Sequence, residues 1–351
     1  MKLSKYLDTV KPDWKNECAE LKLKGYSCNQ ICETLLDKYF VDLVIWANTA
    51  KNPCDQKIEA NELETKFFNT IRWAVRKTTK QIKPKEDQKT KKVVVIENLI
   101  PNEIESKWDG CETIKIGVLT DTHIGSKYWQ PTFLKECYEN MEANGITDVY
   151  HAGDISDGLK MRPGHEYELY EITADDMVND IVKNYPKIDG ITTHFITGNH
   201  DASIYKHIGY DIGLSIADKR KDMDYLGRDS ARVYLTPNCI MELRHPWDGT
   251  AYALSYKPQK MLDALDPDTK PNIMVIGHYH KAEYLFYRNV HCIQAGCFQG
   301  QTPFTRGKGI SVHTGYWIIT IRVDENGTIK SFAPEFHPLY KCIKDDYKNI
   351  I

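Results

Sequence analysis

The residues of this chain best suited to chemistry are aspartates, histidines and one asparagine that recur in a fixed order. They stand in Asp121-Thr122-His123, Gly153-Asp154-Ile155-Ser156-Asp157, Gly198-Asn199-His200-Asp201, a lone His245, and Gly277-His278-Tyr279-His280. Carboxylate, imidazole and amide oxygen donors in this mixture suit manganese, iron or zinc. The absence of cysteine from the set argues against a structural zinc site. Seven of the residues, Asp121, His123, Asp154, Asn199, His245, His278 and His280, are enough donors for two ions. Two such ions bind phosphoryl oxygens and lower the pKa of a shared water, which is the chemistry of phosphate-ester hydrolysis. Asp121 and His123 are one residue apart, as are His278 and His280, and at a strand end that spacing predicts side chains on one side. Gly153, Gly198 and Gly277 each precede a candidate ligand, as tight turns and close backbone approach require.

Four of these five segments follow runs that read as strands, which would bring their polar tips to one sheet edge. Ile114, Ile116, Val118 and Leu119 predict a strand before Asp121, and a helix is predicted over 131–144. The strand 147–151 leads to Gly153-Asp154. A helix over 170–184 then leads to a strand over 191–196. The alternation predicts an α/β domain with helices packed on a mainly central sheet. Strands are also expected at 233–235, 240–243 and 273–276. After residue 281 only strand-like runs appear, including 316–321, with a hairpin turn at Asp324-Glu325-Asn326-Gly327.

Residues 1–80 read instead as a helical N-terminal domain. Cys18, Leu21, Ile31, Leu35, Leu36 and Tyr39 fall at helical spacing. Gly25 interrupts them and Ser27 stands as an N-cap, the opening of a helix-turn-helix. Further helices are expected over 42–50 and 59–77. DNA binding is one reading of this domain; a helical bundle for homodimerisation or docking is the other. Residues 81–110 form a lysine-rich linker with a lead-in strand, and 111–345 the catalytic domain. The stretch Arg72 to Lys92 carries nine basic residues against Glu86 and Asp87. It reads equally as a phosphate-contacting run and as a solvated linker.

The composition is that of a globular protein: 41% hydrophobic, 27% charged, formal charge −3. Any nucleic-acid contact must therefore come from local basic patches. No run approaches the roughly 20 apolar residues that span a bilayer, so no membrane association is expected. The opening residues lack the apolar core of a secretory signal. The ten cysteines form no C-x-x-C pair and are expected to be buried, reduced thiols of a cytoplasmic protein.

Taken together, D-x-H, G-D-x-x-D, G-N-H-D, a lone histidine and G-H-x-H resemble the calcineurin-like metallophosphoesterase superfamily over about residues 113 to 325. The resemblance implies a four-layer α/β/β/α sandwich with two divalent metal ions at the sheet edge, manganese first among them and iron, zinc or magnesium as alternatives. It implies that Asp121, His123 and His280 bind one ion, that Asn199, His245 and His278 bind the other, and that Asp154 bridges. His200 resembles the histidine that gives a proton to the leaving oxygen or steadies the phosphate. Asp157 and Asp201 resemble groups that orient histidines. The implied activity is hydrolysis by a hydroxide that the two ions activate.

Within the superfamily the motifs are most similar to SbcD-type repair exonucleases and to the small subunit of archaeal family-D DNA polymerase. Gly158 stands where Ser/Thr protein phosphatases have arginine. Lys127, Tyr128, Trp129, Lys160, Arg162, Tyr205 and Lys206 cluster near the motifs and suit a single-stranded end. The expected function is therefore a DNA exonuclease or end-processing nuclease. A phosphodiesterase or phosphatase for a small nucleotide or other metabolite is the alternative, and a non-catalytic nucleic-acid-binding scaffold the third reading. The lone histidine departs from the superfamily pattern, being followed by Pro246-Trp247-Asp248-Gly249. The segment 252–260 is expected over the active site, with Lys257 or Gln259 near substrate, and Arg306 and Lys308 are further basic candidates.

Overall fold

The computed structural model describes residues 102–350, together with Leu7, 14–23, 31–32, 34–36, 38–39, 67 and 70–71. The chain divides into two compact units, Met1–Val95 and Ile96–Ile351. In the first, helix α1 (Trp14–Leu23) carries buried Trp14 and Cys18. Ile31, Cys32, Leu35, Tyr39, Phe67 and Ile71 are helical and buried. The Tyr39 hydroxyl donates to Glu17 at 2.7 Å. The turn at Gly25, the Ser27 cap, the helix over 42–50 and the basic stretch 72–92 lie outside the described residues, as does most of the helix expected over 59–77.

The second unit holds two six-stranded sheets rather than one central sheet. β2 (Thr113–Leu119), β3 (Asp148–Ala152), β4 (Thr192–Thr197) and β5 (Met223–Arg228) run parallel. β11 (Gly315–Val323) joins β2 antiparallel, and β12 (Ile329–Pro338) closes that edge, giving the order β12-β11-β2-β3-β4-β5. The other sheet contains β1 (Asn102–Ile104), β6 (Ser230–Thr236), β7 (Cys239–Arg244), β8 (Ile273–Ile276), β9 (Ala282–Tyr287) and β10 (Val290–Ala295), in the order β1-β6-β7-β8-β10-β9.

Period-two alternation assigns each strand's side chains to one of two cores. On β2 and β3, Ile116, Val118, Tyr150 and Ala152 face the other sheet, where they meet Met241, Leu243, Ile273, Val275 and Ile293. Leu119 and Val149 face helices α2 (Pro131–Ala143) and α3 (Ala174–Asn184), meeting Leu134, Tyr138, Met141, Met177 and Ile181. Helices α4 (Asn199–Ile208) and α5 (Ile212–Lys219) complete that layer. On the far side α6 (Tyr256–Asp263) places Leu262 over Met274, Ile276 and Cys292. This is the α/β/β/α order.

Proline at its first position opens α2, where no amide hydrogen is needed. Helix α3 starts at Ala174, not near Tyr170, because the Thr173 hydroxyl accepts the Asp176 amide at 3.2 Å. The tail is not all sheet: α7 (Pro303–Gly307) begins at the Thr302 cap, and a 3-10 turn runs Asp346–Asn349. The Asp324–Gly327 turn joins β11 and β12 as expected, its Gly327 amide donating to Asp324 at 2.9 Å. Among the described cysteines Cys111 is exposed and Cys342 half-buried; the others are buried and all are free thiols. No described helix is long and apolar enough to cross a membrane.

Candidate metal centre

All five motif segments, His245 included, leave the C-terminal ends of strands β2, β3, β4, β7 and β8. Two of the loops run side by side. The Asp121 amide donates to Gly153 O at 2.9 Å and the His123 amide to Asp154 O at 3.1 Å. The shared side of Asp121 and His123 does not come from strand alternation, since β2 ends at Leu119. Both residues have left-handed backbone, φ 52° and 49°, as do Asp154 (55°), His278 (77°) and His280 (53°). Five of the seven candidate ligands thus occupy a region that costs a non-glycine residue on the order of 1 kcal/mol or more. Such conformations persist where surrounding bonds hold them, and they gather at functional sites.

The donor atoms converge on two points. His123 Nε2 lies 2.9 Å from His280 Nε2, and Asp121 Oδ1 is 3.2 Å from the latter and 3.5 Å from the former. Two ligands about 2.1 Å from one ion and roughly at right or tetrahedral angles stand about 3.0–3.4 Å apart. The first trio, at 2.9, 3.2 and 3.5 Å, brackets that spacing. Asp121 Oδ1 is also buried with no hydrogen-bond partner, whereas Oδ2 accepts from Thr120 Oγ1 and the His278 amide at 2.7 and 2.8 Å. At the second point, His245 Nε2 is 3.1 Å from both Asp154 Oδ2 and Asn199 Oδ1, with His278 completing the cluster. Asp154 Oδ2 also lies 4.0 Å from His123 Nε2, between the clusters. A Cβ at Gly198 would sit 2.3 Å from Asp154 Oδ1 and 2.6 Å from His245 Nε2, so only glycine leaves these atoms room.

Asp157 is the hub behind the candidate ligands. It accepts His123 Nδ1 at 2.8 Å, leaving Nε2 for the first point. It also faces His165 Nε2 at 3.3 Å and Gln299 Nε2 at 3.3 Å. His200 Nδ1 bonds the Asp157 carbonyl at 2.6 Å, so its Nε2 is the nitrogen left for other work. His165 and Gln299 carry no motif and were not legible in the sequence.

Asp201 differs from expectation. It orients no histidine but accepts the Gly198, Ile155 and Ser156 amides at 2.9, 3.1 and 2.8 Å and the Ser156 hydroxyl at 2.7 Å. It stitches the Asn199 loop to the Asp154 loop. Burial and neighbouring Asp154 push its carboxyl up to about 6 against those donors. Asp201→Asn places an NH2 group against buried donors and is expected to destabilise the fold by about 2 kcal/mol, read as a lowered denaturation midpoint.

The model of the calcineurin-like phosphoesterase superfamily domain matches residues 114–314, more than half of the chain and every motif above. The chain belongs to this superfamily. The DNA polymerase II small subunit of Methanocaldococcus jannaschii is 28% identical over 250 residues, which are 57% of this chain and 41% of that protein. That of Methanothermobacter thermautotrophicus is 25% identical over 241 residues, 54% of this chain and 48% of that protein. The chain thus spans about half the length of the curated relatives it matches. A solved archaeal phosphodiesterase superposes with a TM-score of 0.38 at 13% identity, covering 64% of this chain and all of that one.

The residues after the lone histidine of this superfamily member brace the candidate ligand His278. The Asp248 carbonyl accepts His278 Nε2 at 2.7 Å, turning Nδ1 inward. The Asp248 carboxylate accepts the Tyr279 hydroxyl and the Lys257 ammonium. Lys257 is therefore a support behind His278, and neither it nor Gln259 lines the cleft. Removing both donors to Asp248 (Lys257→Ala with Tyr279→Phe) is expected to weaken one of two Mn2+ binding events about tenfold, measured by calorimetry, and to spare the other.

Burial opposes the charge on Asp121, Asp154 and Asp157, but the surrounding imidazoles outweigh it and hold all three well below the usual carboxylate range. Burial lowers His278 to about 4, while Asp154 carries His245 up to about 9 against its burial. Buried carboxylates kept ionised together are what a pair of dications neutralises.

A cleft of about 450 Å³ opens over the centre, lined by His123, Asp154, His200, His278 and His280 with Arg162 and Lys308. Of the other residues expected near substrate, Trp129 is wholly buried in the core. Lys127 donates to Tyr167 O at 2.9 Å, and the Tyr205 ring lies under Arg228 at 3.8 Å. Neither these nor Tyr128, Lys160, Lys206 or Arg306 line the cleft.

Proposed function

We propose that this chain is a two-metal phosphodiesterase acting on DNA ends. The observation that carries the reading is the pair of three-residue clusters on either side of Asp154, with His200 at the cleft wall. Two divalent ions there would bind the phosphoryl oxygens and lower the pKa of water. The chain's own residues do the rest. Asp121, His123 and His280 hold one site, Asn199, His245 and His278 the other, and Asp154 faces both. Asp157 fixes the His123 tautomer. His200 Nε2 is the candidate proton donor to the leaving oxygen. Lys308 offers positive charge to the flanking phosphates, and Arg162, whose guanidinium is paired with Glu168, lines the cleft beside it. Manganese suits the mixed nitrogen and oxygen donors.

The polymerase small subunits to which the chain is similar support a DNA context. A cleft of about 450 Å³ is also the size of a small-ligand pocket, so hydrolysis of a small nucleotide is the second reading. Against a non-catalytic scaffold stands the presence of a donor at every ligand position. Incubating Mn2+-loaded protein with end-labelled single-stranded DNA, duplex DNA and cyclic dinucleotides tests the assignment. Mononucleotide release from DNA that stops on chelation is the expected result. Hydrolysis of the cyclic dinucleotides alone selects the second reading, and no hydrolysis of any ester sinks both.

A further inference from the structure

The loop from β7 to α6 begins at His245 and ends at Ser255, and its polar groups are tied down. The His245 amide donates to Asp229 O at 2.7 Å, and the Trp247 indole donates to Asp229 Oδ1 at 2.8 Å. Asp248 braces His278, and the Leu254 carbonyl accepts Gln294 Nε2 at 3.1 Å. Its large apolar faces point the other way. Trp247 is 58% exposed, Tyr252 fully, and Tyr256, at the start of α6, 51%. An anchored segment that leaves its aromatic rings in water forgoes the stabilisation their burial would bring. Of these rings Trp247 lines the cleft over the candidate metal centre, where exposed apolar surface suits a ligand contact.

Two further features say what the ligand is. Trp247 and Phe304, the latter 40% exposed on α7, line the same cleft as His123, His200 and His280. Cations stand beside them: Lys308 lines that cleft, and the Arg162 guanidinium, itself paired with Glu168, lies 4.3 Å from the Phe304 ring centre. Aromatic rings and cations lining one cleft over the candidate metal centre match a strand whose bases are unpaired. A duplex buries its base faces in its own stack and cannot offer them.

We propose that this loop is a stacking platform for single-stranded nucleic acid. Trp247 and Phe304 hold the bases next to the phosphate at the metal centre, and Tyr252 and Tyr256 hold bases farther along the strand. Its position relative to the scissile phosphate rests on the phosphodiesterase reading above.

The test is fluorescence anisotropy with full-length protein, Ca2+ replacing Mn2+ to slow cleavage. The probes are decathymidylate, decauridylate, a DNA duplex, and an abasic strand with the same number of phosphates. Decathymidylate is expected to bind at least about fivefold more tightly than the abasic strand, and the duplex no better than the abasic strand. Trp247→Ala should erase most of that preference and Trp247→Phe retain it. Tyr252→Ala, at a wholly exposed side chain, should reduce it in part with the fold intact. Decauridylate binding as well as decathymidylate fits the proposal, since stacking ignores the sugar. Equal affinity for the abasic strand and decathymidylate, or a preference that survives both alanine variants, overturns it. Hydrolysis of bis(p-nitrophenyl) phosphate with Mn2+ is measured separately. Hydrolysis without base preference sinks the platform alone; base preference without hydrolysis sinks the phosphodiesterase reading alone.

Discussion

Asp154→Asn is expected to lower Mn2+-dependent hydrolysis of bis(p-nitrophenyl) phosphate by at least about 10³-fold, since several kcal/mol of charge stabilisation is at stake and each ~1.36 kcal/mol is tenfold. The reason is position. Oδ2 of this residue is 3.1 Å from His245 Nε2 in one cluster and 4.0 Å from His123 Nε2 in the other. Removing its charge leaves two dications with nothing between them to offset their repulsion. The substitution is nearly isosteric, and an amide oxygen still accepts the His200 amide now held at 2.8 Å, so the fold should survive. Calorimetry with Mn2+ should find two ions on the wild type and no more than one on the variant. A variant that binds two ions and turns over at the wild-type rate would show that Asp154 is not shared.

The second large effect is at His200. Its Nδ1 is committed to the Asp157 carbonyl at 2.6 Å, and the ring lies edge-on to His123 with centroids 4.5 Å apart. That leaves Nε2 free in a ring that lines the cleft, close enough to His123 and Asp154 to form a third group of possible metal donors, so metal retention is part of the test. His200→Ala is expected to lower kcat on DNA by about 10²–10⁴-fold, the range of a lost general acid, with both ions retained. The leaving group separates proton donation from simple phosphate binding. A p-nitrophenolate leaves without a proton and should be much less affected than a deoxyribose oxygen. Equal losses on both substrates would make His200 a phosphate anchor, and loss of metal would make it a ligand.

The candidate ligands and their order were legible in the sequence, because metal chemistry restricts the side chains that can serve. The strands that carry them were legible for a related reason. Ile273–Ile276 is a continuous apolar run because both faces of its strand are covered, and Ile114, Ile116 and Val118 keep strand alternation up to Leu119. The number of sheets was not legible from the pattern alone. Ile273–Ile276 reads the same whether it sits beside β4 or across a core from it, and only the resemblance to a known superfamily implied the sandwich. The supports were hidden as well. His165, Gln299 and Asp248 reach the centre through hydrogen bonds to Asp157 and His278. Nothing in local spacing distinguishes such residues from ordinary loop residues. Trp129 shows the converse error: an aromatic beside a motif reads as a substrate contact, yet it fills the core.

The sequence by itself determined which atoms are available to hold ions and that they follow strands. Those are properties of side-chain chemistry and of hydrophobic periodicity, both local. The tertiary structure decided where those atoms meet. Asp121, His123, Asp154, His278 and His280 all bend into left-handed backbone, which aspartate and histidine tolerate better than most residues but still at a cost. Bonds between the two sheets, such as the His278 amide to Asp121 Oδ2 at 2.8 Å and His245 Nδ1 to the Ala152 carbonyl at 2.7 Å, hold them there, and such bonds exist only once both sheets have packed.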